Sequence, residues 1–254
     1  MTAQRSELAR TFAERLRAVY GEELGRGARI VHVAAVADAK DGRLPVLAVG
    51  EGAPQSPTDA FALDAARART DAIVTTGRIL RREPALSHSL GPASAAWRRE
   101  VLGEAEAPWT VVLTRRPDDV ATHPLFATSS GRILVLTSDA AAPSAPPRGA
   151  IVKSLDASDA DGLAGAIAYL ERALGVRSAL IEAGPSTARA LYRDDGLVDE
   201  LLLSRYQGPP LPPEMLVGEF ATDAEIERRL GRAVHTHVGT GADVDWRFVR
   251  HLHT

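Results

Sequence analysis

Leu180-Ile181-Glu182-Ala183-Gly184-Pro185-Ser186-Thr187, followed by Leu197-Val198-Asp199-Glu200-Leu201-Leu202-Leu203, is the stretch that decides the fold. An apolar strand stops at an acid, the backbone turns on a glycine, and Pro185 and Ser186 open a helix whose first amides have no partner inside it. A turn of this kind is a ready anion site, because unsatisfied N–H groups and the positive end of the helix dipole face outward together. The second run is apolar at most of its positions, as expected of a strand buried on both faces of a parallel sheet.

The same strand chemistry recurs along the chain. β-branched runs predict strands over 30–36, 45–49, 71–76, 109–113, 132–136, 150–152, 178–181 and 200–204. Between them, helical spacing covers 92–104, 161–174 and 187–192. Ser56-Pro57-Thr58-Asp59 predicts a further helix reaching about Arg69, with Ser56 as its cap, Pro57 in the first helical position and Asp59 facing the dipole. Short strands alternating with helices point to an α/β fold with one mostly parallel sheet and helices on both faces. Residues 233–238 and 244–249, joined by Gly239-Thr240-Gly241-Ala242-Asp243, predict a C-terminal antiparallel hairpin. An extra amphipathic helix within 2–25, with Leu8, Phe12, Leu16 and Val19 on one stripe, precedes all of this. The expected division is therefore a helical arm over 1–26 and one domain over 27–254, the arm covering a sheet edge or thickening a dimer contact. The proline-rich stretches 141–149 and 208–213 are expected as surface loops.

Composition narrows the function. With 254 residues a sizeable core can form without cross-links, and there is no cysteine for disulfides, thiolate metal sites or thiol nucleophiles. Thirty Lys and Arg against 33 Asp and Glu give a net charge of -3 without long runs of one sign, so neither a nucleic-acid partner nor an anionic membrane is expected. No run approaches a membrane span and the N-terminal stretch is not a signal peptide, so a cytoplasmic protein acting on a small molecule is the plainest expectation. His235 and His237 share a strand face and His251 and His253 lie near the end, yet no carboxylate stands at ligand spacing beside them, and no metal is expected. G-x-G-x-x-G, G-x-S-x-G and P-loop patterns are all missing.

Two strand-to-helix corners remain as phosphate-binding candidates: Thr75-Thr76-Gly77-Arg78 and Gly184-Pro185-Ser186-Thr187. Each combines a glycine, hydroxyls and free amides, and Arg78 adds positive charge. The alternative is that each glycine serves only close packing.

From these corners outward, over about 30–250, the chain resembles the reductase domain of riboflavin biosynthesis deaminase-reductases, a family with a dihydrofolate reductase-like fold. Carrying the resemblance are Arg67 ahead of Asp71-Ala72-Ile73-Val74, then Glu83-Pro84-Ala85-Leu86, and later Glu182-Ala183-Gly184-Pro185 with Val198-Asp199-Glu200-Leu201. The family's Gly-x-Gly-Thr falls on Thr76-Gly77-Arg78-Ile79 and its Ser-Leu-Asp-Gly on Ala39-Lys40-Asp41-Gly42, so a glycine, a threonine and a serine are replaced. Gly208-Pro209-Pro210 stands where a glycine-rich loop is usual.

The resemblance implies a homodimeric reductase that passes hydride from NADPH to the imine-like carbon of a ribosylaminopyrimidine. It implies Glu182 as the residue holding substrate hydroxyls, with Asp41, Arg81, Glu83, Pro84 and Leu86 around the substrate. Cofactor would be held by Thr76, Gly77, Arg78, Gly184, Pro185, Ser186 and Thr187, with Thr137 and Ser138 as secondary contacts to its nucleotide. Structural alternatives stand beside these roles. Glu182 could cap the next helix or pair with Arg189, Asp41 with Gly42 could be a plain turn, and Arg81-Arg82-Glu83-Pro84 a solvated one. Asp199 and Glu200 are expected to be structural, Glu200 bonding loop amides. Two rival functions remain: a non-catalytic descendant that binds a ligand or assembles, and a reductase of another heterocycle or a pterin.

Overall fold

Strands β1 (Ile30–Ala37), β2 (Arg43–Leu47), β3 (Ala72–Thr76), β4 (Trp109–Leu113), β5 (Ile133–Ser138), β6 (Ala150–Leu155), β7 (Ala179–Ile181), β8 (Glu200–Tyr206), β9 (Leu216–Thr222), β10 (His235–Val238) and β11 (Trp246–Leu252) join in one sheet. The computed structural model describes residues 6–39, 41–50, 52–128, 132–138, 147, 149–155, 162–193 and 196–253. Most of the expected 141–149 loop, Lys40 and Glu51 lie outside the described residues.

The main strand order is β10-β11-β8-β1-β7-β3-β4-β5-β6. Every neighbour pair from β8 to β6 is parallel, and β11 and β10 add antiparallel strands at the other end, as the hairpin signal implied. Off this path, β2 pairs antiparallel with β1, and β9 with β2.

Helices α1 (Glu7–Tyr20), α2 (Pro57–Arg69), α3 (Gly77–Arg82), α4 (Pro92–Val101), α5 (Leu125–Thr128), α6 (Leu163–Leu174), α7 (Pro185–Ala188) and α8 (Asp223–Leu230) complete the order. Alternate strand residues point to opposite faces. Thus Ile30 joins a core with Leu170, Ala188 and Ile226 of α6, α7 and α8, while Val31 joins another with Leu16, Ala65 and Trp97 of α1, α2 and α4. Of the expected α1 stripe, Phe12, Leu16 and Val19 are buried while Leu8 at its first turn is exposed, and the Phe12 ring centroid lies 5.2 Å from that of Phe61 and 5.4 Å from that of Trp97.

Local signals set several helix starts. Ser56 Oγ accepts from the Asp59 amide at 2.9 Å and Pro57 occupies the first turn. The elements not expected include the single turn α5 as well as β9 and α8. β9 carries Gly218 and Glu219 within a short run, which dilutes its alternation, and α8 is highly charged, although Thr222 and Glu225 form a reciprocal capping box at its start. The helix expected over 187–192 begins earlier, at Pro185, and passes into a 3-10 turn at Arg189–Tyr192.

One feature of the topology creates a site. β7 has only three residues, yet it lies between the eight residues of β1 and the five of β3. Its pairing ends at His32 on one side and at Val74 on the other. Beyond that point β1 and β3 continue without it, leaving a notch at the carboxyl edge of the sheet, where ligands of open α/β sheets characteristically bind.

Candidate functional site

A cavity of about 490 Å³ fills the notch. Its walls come from β1, β2, α2, α3, the start of α7, and β9. Val33, Ala34, Ala35 and Val46 make one side apolar, and Phe220 closes another. Along α2, Asp59, Leu63 and Arg67 face in at intervals of four residues, one helical stripe.

Glu182, first residue past β7, enters this cavity already engaged. Its two carboxylate oxygens accept from Arg67 Nε and Nη2, each at 2.6 Å. Both side chains are about nine-tenths buried. Burial pushes the Glu182 carboxyl up, but the charge and paired hydrogen bonds of Arg67, aided by His88, outweigh it and hold the group below its ordinary value. The alternative partner Arg189 is not used, since Arg189 Nη2 donates to the Glu219 carbonyl at 3.0 Å. Arg67 also donates to the Ser87 carbonyl, which ties α2 to the loop after α3.

Behind this pair lies His88. Its Nδ1 is 3.3 Å from Thr110 Oγ1, and its buried Nε2 has no hydrogen bond but lies 3.7 Å from Glu182 Oε2. On the cavity wall, burial and the neighbouring charge of Glu182 raise the Glu83 carboxyl, partly opposed by Arg67. Burial likewise raises Asp59, a hydrogen bond from Ser204 opposing it and Asp243 adding to it.

The two corners are adjacent, as required for one ligand to reach both: β3 and β7 pair directly, and the Glu182 amide donates to the Val74 carbonyl at 2.9 Å. They differ in what they leave free. At the β3 corner Thr76 Oγ1 accepts from the Ile79 amide, capping α3. A Cβ on Gly77 would lie 2.6 Å from Thr114 Oγ1, so this glycine serves close packing. Arg78 is exposed and pairs with no acid among the described residues. It is Ile79 and Arg82 of α3, not these three, that line the cavity.

At the β7 corner Gly184 has φ -61 and ψ 160, a conformation open to any residue, and a Cβ there would meet nothing within 4 Å. Gly184 and Pro185 line the cavity. The Thr187 amide is taken by the Gly184 carbonyl at 3.0 Å. The space beside Gly184 is thus free for a ligand.

Of the residues expected around a substrate, Glu83 and Leu86 line the cavity, while Arg81 and Pro84 do not. Arg81 faces Asp119 at 3.9 Å. Asp41 sits exposed in the turn before β2, where it pairs with Arg43 Nε at 2.7 Å. Thr137 is buried with an unpartnered hydroxyl at the end of β5. Three strand spacings separate β5 from β7, about 14 Å. Ser138 closes the same strand.

Residues not singled out as site residues from sequence include Arg67's role as clamp, His88, Asp59 and Phe220. The stripe 59, 63, 67 on α2 was a readable signal. Nothing near His88 in the chain indicates its place beside Glu182.

Buried histidines give this region a pH response. Burial holds His32 down to about 3 and, as the largest influence, His88 to about 4. In the unfolded chain both protonate near 6.5, so below that pH the unfolded state binds more protons and stability falls as pH drops. The expected slope is on the order of 1 kcal/mol per pH unit for each ring. Urea midpoints between pH 8 and 5 check this: His88→Leu is expected to flatten the slope, and a midpoint unchanged from pH 7 to 5 in the parent protein would contradict it.

A model of the RibD C-terminal domain family matches residues 37–209. No curated protein sequence matches the chain. Among solved structures, RibD of Acinetobacter baumannii superposes with a TM-score of 0.61 at 18% identity over 89% of this chain. The chain spans 58% of the length of that protein. A pyrimidine reductase-like protein of Corynebacterium diphtheriae gives 0.58 at 19% identity over 94% of this chain and 98% of the other. The riboflavin biosynthesis reductase Rib7 of Saccharomyces cerevisiae gives 0.57 at 11% identity over 97% and 99%. These similarities describe a shared fold.

Proposed function

Because this chain belongs to the RibD C-terminal domain family and has its dihydrofolate reductase-like fold, we propose that it is an NADPH-dependent reductase of a ribosylaminopyrimidine. The substrate envisaged resembles the 5-amino-6-(5-phosphoribosylamino)uracil named for the Thermotoga maritima relative of the same fold. The observation that carries this proposal is the notch at the end of β7, where open space beside Gly184 adjoins a clamped carboxylate and an apolar wall.

Bound at this corner, NADPH would supply the hydride. The chain's own residues do the rest. Gly184 admits the diphosphate close to the backbone, and Pro185, Ser186 and Thr187 frame the turn around it. Arg78 adds charge at the β3 corner, where Thr76 and Gly77 shape α3, and the backbone at the end of β5, Thr137 and Ser138, marks where the nucleotide would run farther along the edge. Glu182, held ionised and oriented by Arg67, keeps lone pairs free to accept from substrate hydroxyls. Val33, Ala34 and Ala35 exclude water from the reacting faces. Glu83 and Leu86 border the substrate, whereas Arg81, Pro84 and Asp41, which do not line the cavity, make no contact with it. The proposal extends to a cytoplasmic homodimer acting on a small molecule, with 1–26 as an arm of the reductase domain.

One observation favours a second reading. The hydroxyl and glycine of the β3 corner are engaged inside the protein, which is what a non-catalytic, ligand-binding descendant would show. Cofactor titration separates the two. Gly184→Asp is expected to weaken NADPH binding, followed by fluorescence quenching, by about tenfold or more, ~1.4 kcal/mol, because it fills the cradle and repels the diphosphate. Its stability should stay within about 0.5 kcal/mol of the parent, since nothing clashes. If the parent protein shows no quenching at millimolar NADPH, the reductase proposal is wrong.

A further inference from the structure

His32 borders the cavity from β1, and nothing in the proposed reaction uses it. Its Nδ1 lies 2.7 Å from the Tyr192 hydroxyl. The Tyr192 ring centroid stands 5.7 Å away, and Phe220 meets the imidazole edge-on at 4.8 Å. His32 and Tyr192 are both buried.

A single proton decides what this pair presents. Were Nδ1 the donor, the phenol hydrogen would be left without an acceptor in an apolar setting, and a buried donor without a partner carries the full cost of its desolvation. With Tyr192 O–H donating to Nδ1, the phenol and that nitrogen are satisfied, and the one proton of the neutral ring sits on Nε2. Burial keeps the ring neutral. Nδ1 is taken by Tyr192, and Nε2 has no hydrogen-bond partner among the described residues. Of the two ring nitrogens, Nε2 is therefore the one left for a ligand in the cavity that His32 lines.

We infer that His32, its tautomer set by Tyr192, is a specificity residue that presents a neutral N–H donor to the cavity and selects a ligand bearing an sp² acceptor there. The chemical class is a planar heterocycle with a carbonyl oxygen or unprotonated ring nitrogen at that point. The surroundings sharpen the selection: Val33, Ala34 and Phe220 offer nothing polar, so a ligand that places N–H or CH against Nε2 leaves the donor unmatched. Tyr192 is a positioning residue that never touches the ligand. This inference rests on the reductase proposal only in taking the cavity as the place of the heterocycle.

The test uses the full chain labelled with ¹⁵N-histidine, with 5,6-diaminouracil as probe and His32→Phe to assign the resonances. The expected result is a neutral Nε2–H ring whose Nε2 signal moves saturably with the probe. His32→Phe should weaken probe binding about tenfold or more. Tyr192→Phe, which leaves the ring in place, should give a mixture of tautomers and an intermediate loss of affinity. An Nδ1–H ring in the parent protein, a His32 signal unmoved by 10 mM probe (about the weakest binding worth following), or probe binding indifferent to His32→Phe would each overturn the inference. Parallel titration with NADPH keeps the outcomes apart: loss of cofactor binding alone removes the reductase proposal and leaves the tautomer and probe results standing.

Discussion

Arg67→Ala is expected to destabilise the protein by about 3–5 kcal/mol, because it leaves the Glu182 carboxylate buried without its cation. The two groups are joined by paired hydrogen bonds at 2.6 Å between α2 and the end of β7, 115 residues apart in the chain. Without Arg67, burial acts on Glu182 with only the weaker help of His88, and the carboxyl should titrate above its ordinary value instead of below it. Urea unfolding measures the loss. The double variant Arg67→Met with Glu182→Gln should recover much of it, since replacing a buried pair as a unit costs far less than breaking it. A loss under about 1 kcal/mol for Arg67→Ala would mean that water reaches the pair, and the dry, oriented carboxylate assigned to the site would not exist.

The second large effect belongs to Glu200. Fully buried at the start of β8, it accepts from Arg69 Nη1 and Nη2 at 3.1 Å each, from Arg250 Nε at 2.8 Å and from the Ala28 amide at 3.2 Å. Three distant parts of the chain thus converge on one carboxylate. Glu200→Gln keeps the volume but removes the charge, leaving Arg69, among the described residues, with no acid and Arg250 with only the exposed Glu22. A loss of about 3 kcal/mol or more is expected. The pH dependence has a definite sign. Burial raises the Glu200 carboxyl, but Arg69 and Arg250 more than offset it, so the folded value lies below the ordinary 4.5. Its stabilising contribution is present above that pH and is lost as pH falls toward the folded value. The variant should therefore lose less stability than the parent on acidification below pH 4.5, and an identical acid profile for the two would refute the assignment.

Much of the fold was legible. The cap at Ser56, the proline at 57, the buried strands and the C-terminal hairpin all rest on interactions within a few residues, and the chain states them directly. Glu200 bonding a loop amide was also legible, since an acid opening a buried strand must find donors, and Ala28 provides one. β9 and α8 were missed because mixed polarity hides a strand at a sheet edge and a helix that buries only one narrow side.

The candidate site divides along a similar line. Two glycine corners that looked equivalent in the chain are not equivalent in space: Gly77 is packed against Thr114, whereas Gly184 faces open room. That difference depends on the end of β4, whose own sequence says nothing about either corner. Likewise, Arg67 and Glu182 were each visible, but not as partners.

Taken alone, the amino-acid order determined the periodic elements, the parallel sheet and the two corners at its carboxyl edge, because hydrophobic period and turn chemistry act over a few residues. Only the tertiary structure decided that β7 stops early enough to open a notch, which donors around it are already engaged, and that His32, Arg67 and His88 stand beside it. Electrostatics and hydrogen bonding follow distance in space, and residues such as 32 and 192, or 67 and 182, acquire that distance only when the sheet is assembled.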